Sequence, residues 1–403
     1  MTPIPSSGDS RPALCLLAAP PSPPTRQALS AAYRQPLSSV LSRLPPSSNL
    51  VIALAAPFYP LQWPSLQSLL AGLYSLIATV QATHTTSNDA NVTIVLVDHE
   101  RGRQYPPDRV VPFNDTTVLD LGTFASGPQC WGDVFHPSTE AGYELLSTFL
   151  KTAERFQTFL QKQLIAVPGG ISLTTRPADV DVSRTQKSDS ERRYRSVVLA
   201  GTFDHFHVGH KLLIHASTLL LTLPDLETNP QPASVIIGIS GDALLKNKKY
   251  ASELELWPAR AQSVLDFLAA ILSSPLSAKD QETIGDGEEV RARFCEGRIL
   301  VRCVNISDVY GPTITEEDID AIIVSAETRS GGAAVNKKRA EQGWRELELY
   351  EIDVLSPDTE DADGNDEEGN PAAPGDFSAK ISSTDIRRRI AEARTQADGQ
   401  KHD

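Results

Sequence analysis

The chain has 403 residues, of which 40% are hydrophobic and 22% charged, as is typical of a soluble globular protein long enough for two domains. Its formal net charge of −14 argues against a nucleic-acid-binding surface, and no apolar run approaches the length of a membrane span. The four cysteines are scattered without CxxC spacing, which favours reduced thiols in the cytoplasm over disulfides or a zinc site.

The first part of the chain predicts an α/β domain over residues 13–171, preceded by a flexible N-terminus at 1–12. Apolar runs predict its strands, and helical spacing of apolar residues predicts its helices. The predicted strands lie at 13–19, 50–56, 91–98 and, more weakly, 117–121, and the predicted helices lie at 65–82 and 140–164. This part holds no catalytic motif, so its role is unknown. Its isolated histidines are interpreted as surface or structural residues; they are His84, His99 and His136.

A polar linker is predicted at 172–195, followed by a second α/β unit at 196–395 and a tail at 396–403. Alternating strands and helices predict a Rossmann-like parallel sheet, covered on both faces, whose ligands bind at the carboxyl ends of the strands. The predicted strands lie at 197–200, 234–239, 299–305, 321–324 and 347–354, and the predicted helices at 209–223, 258–273, 333–342 and 383–393. Two interruptions, at 276–289 and in the acidic stretch 356–376, predict disordered loops.

The most informative motif is AGTFDHFHVGH at residues 200–210, where an apolar strand breaks at a glycine and leads into a leucine-rich helix. The open N-terminus of such a helix offers unpaired N–H groups and the positive end of the helix dipole, which suits a phosphate. Gly201 lets the backbone approach a phosphate, and Gly209 leaves room for a nucleotide. His207 and His210 can donate hydrogen bonds to phosphoryl oxygens. The motif resembles the (H/T)xGH signature of the nucleotidyltransferase superfamily.

Three further stretches carry candidate chemistry. ISSTDIR, at 381–387, is by itself a capped helix start, with Ser382 or Ser383 as the cap. It resembles the ISSTxxR motif of the same superfamily, which holds the β- and γ-phosphates. DALLKNKK, at 242–249, is either a solvated basic loop or a flexible lysine placed over reacting phosphates. VSAETRSGG, at 324–332, is a glycine-rich loop ahead of a helix.

Together, the four stretches resemble the eukaryotic type of phosphopantetheine adenylyltransferase, the family of the penultimate step of coenzyme A synthesis. That family shows GTFDxxHxGHxxLL, DxLLxxK, ETxxGGxxxNxxR and ISSTxxR in this order, and all four occur within residues 196–395. Larger fused relatives also carry a dephospho-coenzyme A kinase with a P-loop. No GxxxxGK[ST] occurs in this sequence, so we expect the monofunctional, fungal-like arrangement.

The resemblance implies that the phosphate of 4′-phosphopantetheine attacks the α-phosphorus of ATP, forming dephospho-coenzyme A and pyrophosphate, with Mg²⁺ bridging phosphate oxygens. Catalysis is then alignment and charge stabilisation, without a protein nucleophile or a metal-ligating residue. The implied residues are His210, Lys248 and Thr202 for catalysis, Gly201, Phe203, His207, Gly209, Ser382, Ser383, Thr384 and Arg387 for ATP, and Lys246, Glu327, Thr328 and Arg329 for the substrate. Either Lys246 or Lys248 clamps the phosphates, and Asp204 is interpreted as a turn residue rather than a base.

Two alternatives remain. Another nucleotidyltransferase of this type, a cytidylyltransferase or a nicotinamide mononucleotide adenylyltransferase, shares the histidine motif. Cytidylyltransferases usually carry an RTEGxSTT-like segment, which is absent here, and the nicotinamide enzymes usually have asparagine at the position of Asp204. The second alternative is a scaffold subunit that binds other enzymes of coenzyme A synthesis. The expected partners are ATP, 4′-phosphopantetheine and such enzymes, with no nucleic acid and no membrane.

Overall fold

A computed structural model of the protein describes residues 11–83, 90–105, 115–171, 193–353, 355 and 382–399. Several predicted features lie outside the described residues: most of the flexible N-terminus at 1–12, His84, nearly all of the linker at 172–195, and the acidic stretch 356–376. We call residues 13–171 the N-terminal half and residues 193–399 the C-terminal half.

The N-terminal half contains, among its described residues, a six-stranded sheet in the order β4-β3-β2-β1-β5-β6, with every neighbouring pair parallel. The strands β2 and β3 are almost continuous apolar runs because helices cover both faces of the sheet. The strands are β1 (Ala13–Leu17), β2 (Asn49–Ala56), β3 (Asn91–Asp98), β4 (Leu119–Asp120), β5 (Val134–Pro137) and β6 (Leu164–Val167), and the helices are α1 (Arg26–Leu41), α2 (Trp63–Thr83), α3 (Leu121–Ala125) and α4 (Glu140–Ala153).

One predicted helix of this half is too long. The helix predicted at 140–164 ends at Ala153, and Leu164–Val167 forms β6. The apolar spacing continues past the helix end, but the side-chain amide of Gln157 bonds both the N–H and the C=O of Trp131, at 2.9 and 2.8 Å. These long-range bonds hold the chain in a non-helical path. Helix α1, which carries Pro36 inside it, and the short strand β5 were not predicted from the sequence.

The C-terminal half contains a seven-stranded sheet in the order β13-β12-β7-β8-β11-β10-β9 over its described residues. Five strands are parallel, which confirms the predicted α/β class with a parallel sheet, whereas β9 and β10 are antiparallel. The strands are β7 (Ser196–Gly201), β8 (Ala233–Ser240), β9 (Gln281–Ile284), β10 (Glu289–Phe294), β11 (Ile299–Ile306), β12 (Ala321–Val324) and β13 (Glu348–Glu351), and the helices are α5 (Val208–Thr218), α6 (Asp242–Leu245), α7 (Trp257–Ile271), α8 (Arg329–Glu341) and α9 (Ser383–Gly399).

The prediction of a disordered loop at 276–289 is wrong. Strand β9 lies inside this stretch and forms a hairpin with β10, in which Gln281 pairs with Ala292. Its residues are half-buried or exposed, so no apolar run announces the strand. The turn uses Gly285 and Gly287, both at positive φ, a conformation that glycine adopts without strain. The predicted tail at 396–403 is also shorter, because α9 continues to Gly399.

The strand order of the second sheet places a ligand crevice at β7. From β7 the chain proceeds to β8 and β11 on one side, and then returns to β12 and β13 on the other side. In open α/β sheets, ligands bind beyond the carboxyl ends of the strands at such a reversal. The AGTFDHFHVGH motif begins at the carboxyl end of β7.

The buried residues of the two halves form one continuous hydrophobic cluster, which includes Leu54 and Tyr74 of the N-terminal half and Leu199 and Leu212 of the C-terminal half. Helix α2 packs against α5, and α7 packs against β3. The two sheets are therefore layers around a shared core.

No helix in the described ranges is long and apolar enough to cross a membrane.

Candidate active site at the start of helices α5 and α9

The turn between β7 and α5 has a constrained backbone. Phe203 and His205 both adopt left-handed conformations, with φ of 51° and 45°. Non-glycine residues hold such angles only where the surrounding structure fixes them. Asp204 lies between the two and is completely buried. Its Oδ1 accepts a hydrogen bond from the N–H of Glu255 at 2.9 Å, and its Oδ2 lies 2.5 Å from NH1 of Arg387. Asp204 thus holds the turn, as expected for a turn residue rather than a base.

The hydrogen bonds around His207 define its tautomer. His207 is the N-cap of α5, and its Nδ1 accepts from the N–H of Gly209 at 3.2 Å. A neutral ring that accepts at Nδ1 carries its proton on Nε2. That Nε2 lies 3.3 Å from Oγ of Ser383, which in turn donates to the carbonyl oxygen of Asp204 at 2.8 Å. His207 therefore connects the first turn of α5 to the first turn of α9.

The two motif histidines are neutral. The rings of His207 and His210 stack with centroids 3.8 Å apart. Burial lowers the pKa of His207 to about 4, with a smaller raising effect of Asp204 and smaller lowering effects of Lys211 and His205. Burial, followed by the charge of a protonated His207, lowers the pKa of His210 well below its ordinary value. At neutral pH each ring can donate one hydrogen bond and accept another.

His210 has an unused nitrogen. Its Nδ1 is buried and has no hydrogen-bond partner among the described residues. The rings of Phe203 and Phe206 lie close by, with centroids 5.2 and 5.7 Å from that of the imidazole. Buried polar atoms are almost always paired, so an orphaned nitrogen in a turn of this kind points to a ligand.

Both motif glycines accommodate aromatic rings of the motif itself. A Cβ on Gly209 would lie 3.1 Å from Cε1 of His207, and a Cβ on Gly201 would lie 3.1 Å from Cε2 of Phe203. The missing side chains therefore let these rings fold against the backbone. Phe203 is fully buried in the core, which leaves only its main chain for a nucleotide.

The second motif forms the first turn of α9. Ser382 is the helix cap, since its Oγ accepts from the N–H of Asp385 at 3.3 Å. Ser383 points to His207, as described above, and Thr384 is exposed. Arg387 is buried, and all three of its side-chain nitrogens are bonded to protein: Nε to Lys249 O, NH1 to Asp204, and NH2 to Thr384 Oγ1. In this arrangement the guanidinium anchors α9.

The lysine loop follows the carboxyl end of β8, next to β7 in the sheet. Lys246 and Lys248 are both exposed, and neither forms an ion pair with any described residue. The strand order therefore places this loop on the same edge of the sheet as the histidine motif.

Thr202 lies at the end of β7 and is half-buried, with its carbonyl oxygen bonded to Arg260.

The fourth stretch lies at the carboxyl end of β12, on the other side of β7. Glu327 is exposed, and Thr328 bonds Ser325 through its hydroxyl. Arg329 is bonded by two nitrogens to the carboxylate of Glu351, at 2.5 and 2.6 Å. These three predicted residues lie at the same edge of the sheet as the histidine motif. The side chains of Thr328 and Arg329 are hydrogen-bonded to other residues of the protein.

Arg260, on α7, was not predicted from the sequence. It is completely buried, and its NH1 donates to the carbonyl oxygens of Thr202 and Ser240, at 2.7 and 2.9 Å. It thereby joins the carboxyl ends of β7 and β8 beneath the site. Its NH2 has no partner in the described part of the chain. The sequence signal that could have indicated Arg260 is its position on the apolar face of a predicted helix.

No group of three or more His, Cys, Asp or Glu side chains suited to a metal ion occurs in the described ranges. The imidazoles of His207 and His210 and the ammonium groups of Lys246 and Lys248 are not the oxygen ligands that Mg²⁺ prefers, and the carboxylate of Asp204 is already paired with Arg387.

Comparisons with known proteins each match part of the chain. Residues 1–173 match the model of a domain of unknown function, DUF8446. Over 211 residues, the chain is 36% identical to an uncharacterized protein of Schizosaccharomyces pombe, covering 52% of this chain and 53% of that protein. Over 198 residues, it is 33% identical to the phosphopantetheine adenylyltransferase of Saccharomyces cerevisiae, covering 49% of each chain.

An archaeal relative is shorter. The phosphopantetheine adenylyltransferase of Pyrococcus abyssi is 29% identical over 163 residues, which are 40% of this chain and 81% of the archaeal protein. A solved structure of a protein of unknown function from Archaeoglobus fulgidus matches 39% of this chain with 22% identity and a TM-score of 0.27. The chain spans about half the length of the curated fungal relatives it matches. It is thus similar over about half its length to phosphopantetheine adenylyltransferases.

Proposed function

We propose that the protein is a pantetheine-phosphate adenylyltransferase, which converts ATP and 4′-phosphopantetheine to dephospho-coenzyme A and pyrophosphate. The observation that carries the proposal is the meeting of two helix starts, with Ser383 Oγ 3.3 Å from His207 Nε2. Two helix N-termini at one point provide N–H groups and dipole ends for a polyphosphate. The similarity to the yeast and archaeal enzymes supports the adenylyl group and the acceptor.

In the proposed reaction, a phosphate oxygen of 4′-phosphopantetheine forms a bond to the α-phosphorus of ATP. The bond from that phosphorus to the α,β-bridging oxygen breaks, and pyrophosphate leaves with its electron pair. His210 donates to the α-phosphate as negative charge develops, Thr202 orients the attacking phosphate, and Lys248 offsets the charge. Such fixed donors act mainly by positioning and by electrostatic stabilisation.

We assign the triphosphate to the two helix starts. His207 and Ser383 donate within the protein in this structure, and both donors turn to phosphate oxygens when ATP binds. Ser382, Thr384 and the backbone at Gly201 and Gly209 complete this site. Arg387 is assigned a structural role, because all its nitrogens are already bonded. A bound Mg²⁺ would supply charge neutralisation for the phosphates that these residues hold.

The remaining assignments are proposals of the same kind. Lys246, Glu327, Thr328 and Arg329 lie on the rim where the pantetheine arm would enter. We place the protein in the cytoplasm and the Rossmann-like nucleotidyltransferase domain in the C-terminal half, with the N-terminal half as a distinct α/β layer. Other enzymes of coenzyme A synthesis are candidate partners.

The test is an assay of the purified full chain with ATP or CTP, and with 4′-phosphopantetheine, nicotinamide mononucleotide or phosphocholine as acceptor. Dephospho-coenzyme A and pyrophosphate should form only from ATP and 4′-phosphopantetheine. The His210→Ala variant should lose about 10²–10³-fold in kcat while remaining folded, and the His99→Gln variant, remote from the site, should not. Use of CTP, or no reaction with phosphopantetheine, would reject the assignment. Full biological activity of His210→Ala would favour the scaffold alternative.

A further inference from the structure

The residue next to His210 reaches into the N-terminal half. Lys211, in the first turns of α5, is only 6% exposed. Its Nζ donates to Oδ1 of Asn91 at 2.6 Å and to the carbonyl oxygen of Val92 at 2.8 Å. Both acceptors lie at the beginning of β3. The helix that carries the motif histidines is therefore tied to the first sheet immediately beside His210.

The acceptor geometry is itself fixed. The side-chain amide nitrogen of Asn91 donates to Oδ1 of Asn49, at the start of the neighbouring strand β2, at 3.0 Å. This bond turns the Asn91 carbonyl oxygen towards the lysine. Burial lowers the pKa of Lys211 to about 8, since a buried ammonium has lost its water. An ammonium in such a place stays only where its hydrogen bonds are well made, so the contact fixes position closely.

Further contacts hold the rest of α5 from the same side. The indole N–H of Trp63 donates to the carbonyl oxygen of Ala216 at 2.9 Å. The hydroxyl of Thr117 donates to the carbonyl oxygen of Thr218 at 3.1 Å. The hydroxyl of Tyr74 lies 3.5 Å from Nδ1 of His215. These partners all belong to the N-terminal half, so polar contacts hold α5 at both of its ends.

We propose that the N-terminal half positions the histidine helix for the reaction, and that Lys211, held by Asn91, is the positioning residue. The proposal rests on the proposed adenylyl transfer and gives a role to the half that carries no catalytic motif. Lys211 does not touch the reacting phosphates in this assignment. It fixes the first turn of α5, and hence the direction of His210, through β3. Displacements of about 1 Å at a catalytic group can cost about 10²-fold in rate.

Asn91 is the position at which to test this, because it is exposed at the start of β3. Asn91→Leu removes the acceptor, whereas Asn91→Asp keeps an oxygen for the ammonium. We expect Asn91→Leu to lower kcat about 10-fold with KM for ATP within twofold of the wild type, and Asn91→Asp to retain most of kcat. Lys211→Met should lower kcat at least as far. Wild-type kcat in Asn91→Leu, or a loss that appears in KM rather than kcat, would overturn the proposal.

Backbone hydrogen exchange separates this inference from the proposed function. In Asn91→Leu, amides of residues 211–214, whose N–H groups are bonded within the helix, should exchange about 10-fold faster than in the wild type and in Asn91→Asp. Unchanged exchange in this turn would contradict the positioning role, whatever reaction the protein catalyses. If the wild type forms no dephospho-coenzyme A, the proposed function fails, and the exchange experiment still decides whether β3 holds the histidine helix.

Discussion

The carboxylate of Asp204 and the guanidinium of Arg387 form a buried ion pair, with Oδ2 and NH1 2.5 Å apart and the side chains 0% and 2% exposed. The two residues are 183 positions apart in the sequence. Their pair joins the turn after β7 to the helix α9, which is how the histidine motif and the serine motif come to share one site. Arg387 therefore serves the site by holding its two parts together.

Breaking this pair should cost much more than breaking an exposed one. Arg387→Met leaves the Asp204 carboxylate buried without its cation, so the free energy of unfolding should fall by about 3–5 kcal/mol. Arg388, one residue later, pairs on the surface with Asp385 and Glu392, so solvent screens these pairs and Arg388→Gln should cost far less. Urea unfolding of the three proteins measures both values. Equal losses in the two variants would contradict a special role for the buried pair.

The buried His215 should make the protein sensitive to acid. Burial lowers its pKa from 6.5 to about 3, so between these values the unfolded chain binds a proton that the folded chain does not. Above pH 6.5 this group does not lower the free energy of unfolding. As the pH falls from 6.5 towards 3, the free energy of unfolding decreases steadily, because only the unfolded chain takes up the proton. Between pH 7 and pH 5 the loss is about 2 kcal/mol. His215→Leu should reduce the measured pH dependence of unfolding by that amount, while Tyr74→Phe, which keeps the imidazole, should not.

Adding one methyl group at Gly209 should impair the site. The new Cβ would lie 3.1 Å from Cε1 of His207 and would push that ring from its place. We expect Gly209→Ala to lower kcat/KM for ATP at least 10-fold. Gly331, in the first turn of α8, has no atom within 4 Å of the position that a Cβ would take, so Gly331→Ala should raise stability by about 0.5–1 kcal/mol. An unchanged kcat/KM in Gly209→Ala would show that His207 tolerates displacement.

The two exposed lysines should differ in kinetic effect. If Lys248 offsets charge in the transition state, Lys248→Ala lowers kcat about 10²-fold with little change in KM. If Lys246 contacts the substrate phosphate only on binding, Lys246→Ala raises KM for phosphopantetheine with kcat retained. Steady-state kinetics of the single variants distinguishes the roles, and the reverse pattern would exchange the two assignments.

Arg260 should matter for both folding and activity. Arg260→Lys keeps the charge, but a single ammonium cannot reproduce the guanidinium bonds to Thr202 O, Ser240 O and Glu255 O. Loss of these bonds should lower stability by about 1–3 kcal/mol and kcat about 10-fold, because the ends of β7 and β8 move apart. Thermal unfolding and kinetics check the two effects. An unchanged kcat would place Arg260 outside the site's support.

The sequence predicted the local elements of the site well. The strand ending at Gly201 and the helix that follows are indicated by an apolar run, a glycine and a leucine-rich stretch, and the structure has both within two residues of the predicted start. The start of α9 at Ser383 follows in the same way from its serine cap. Such signals are local, because each depends on neighbouring residues only.

The contacts that assemble the site were not predictable in this way. The ISSTxxR resemblance predicts that Arg387 assists phosphate binding, but the motif does not reveal its pair with Asp204. Lys211 is not among the predicted site residues, since its acceptors at the start of β3 lie 120 and 119 positions earlier in the chain. Periodicity carries no information about which distant side chains meet. The available signal was a lysine directly before the apolar residues Leu212, Leu213 and Ile214.

Most of helix α5 is shielded from solvent. Its apolar residues Leu212, Ile214 and Ala216 are buried, and so are its polar residues Lys211, His215, Ser217 and Thr218. Cut away from the N-terminal half, the motif-bearing half would expose this helix as an apolar surface together with an unpaired lysine. We expect such a fragment to self-associate and to be inactive for that reason alone. Catalytic measurements on this protein are therefore meaningful only on a chain that keeps both sheets.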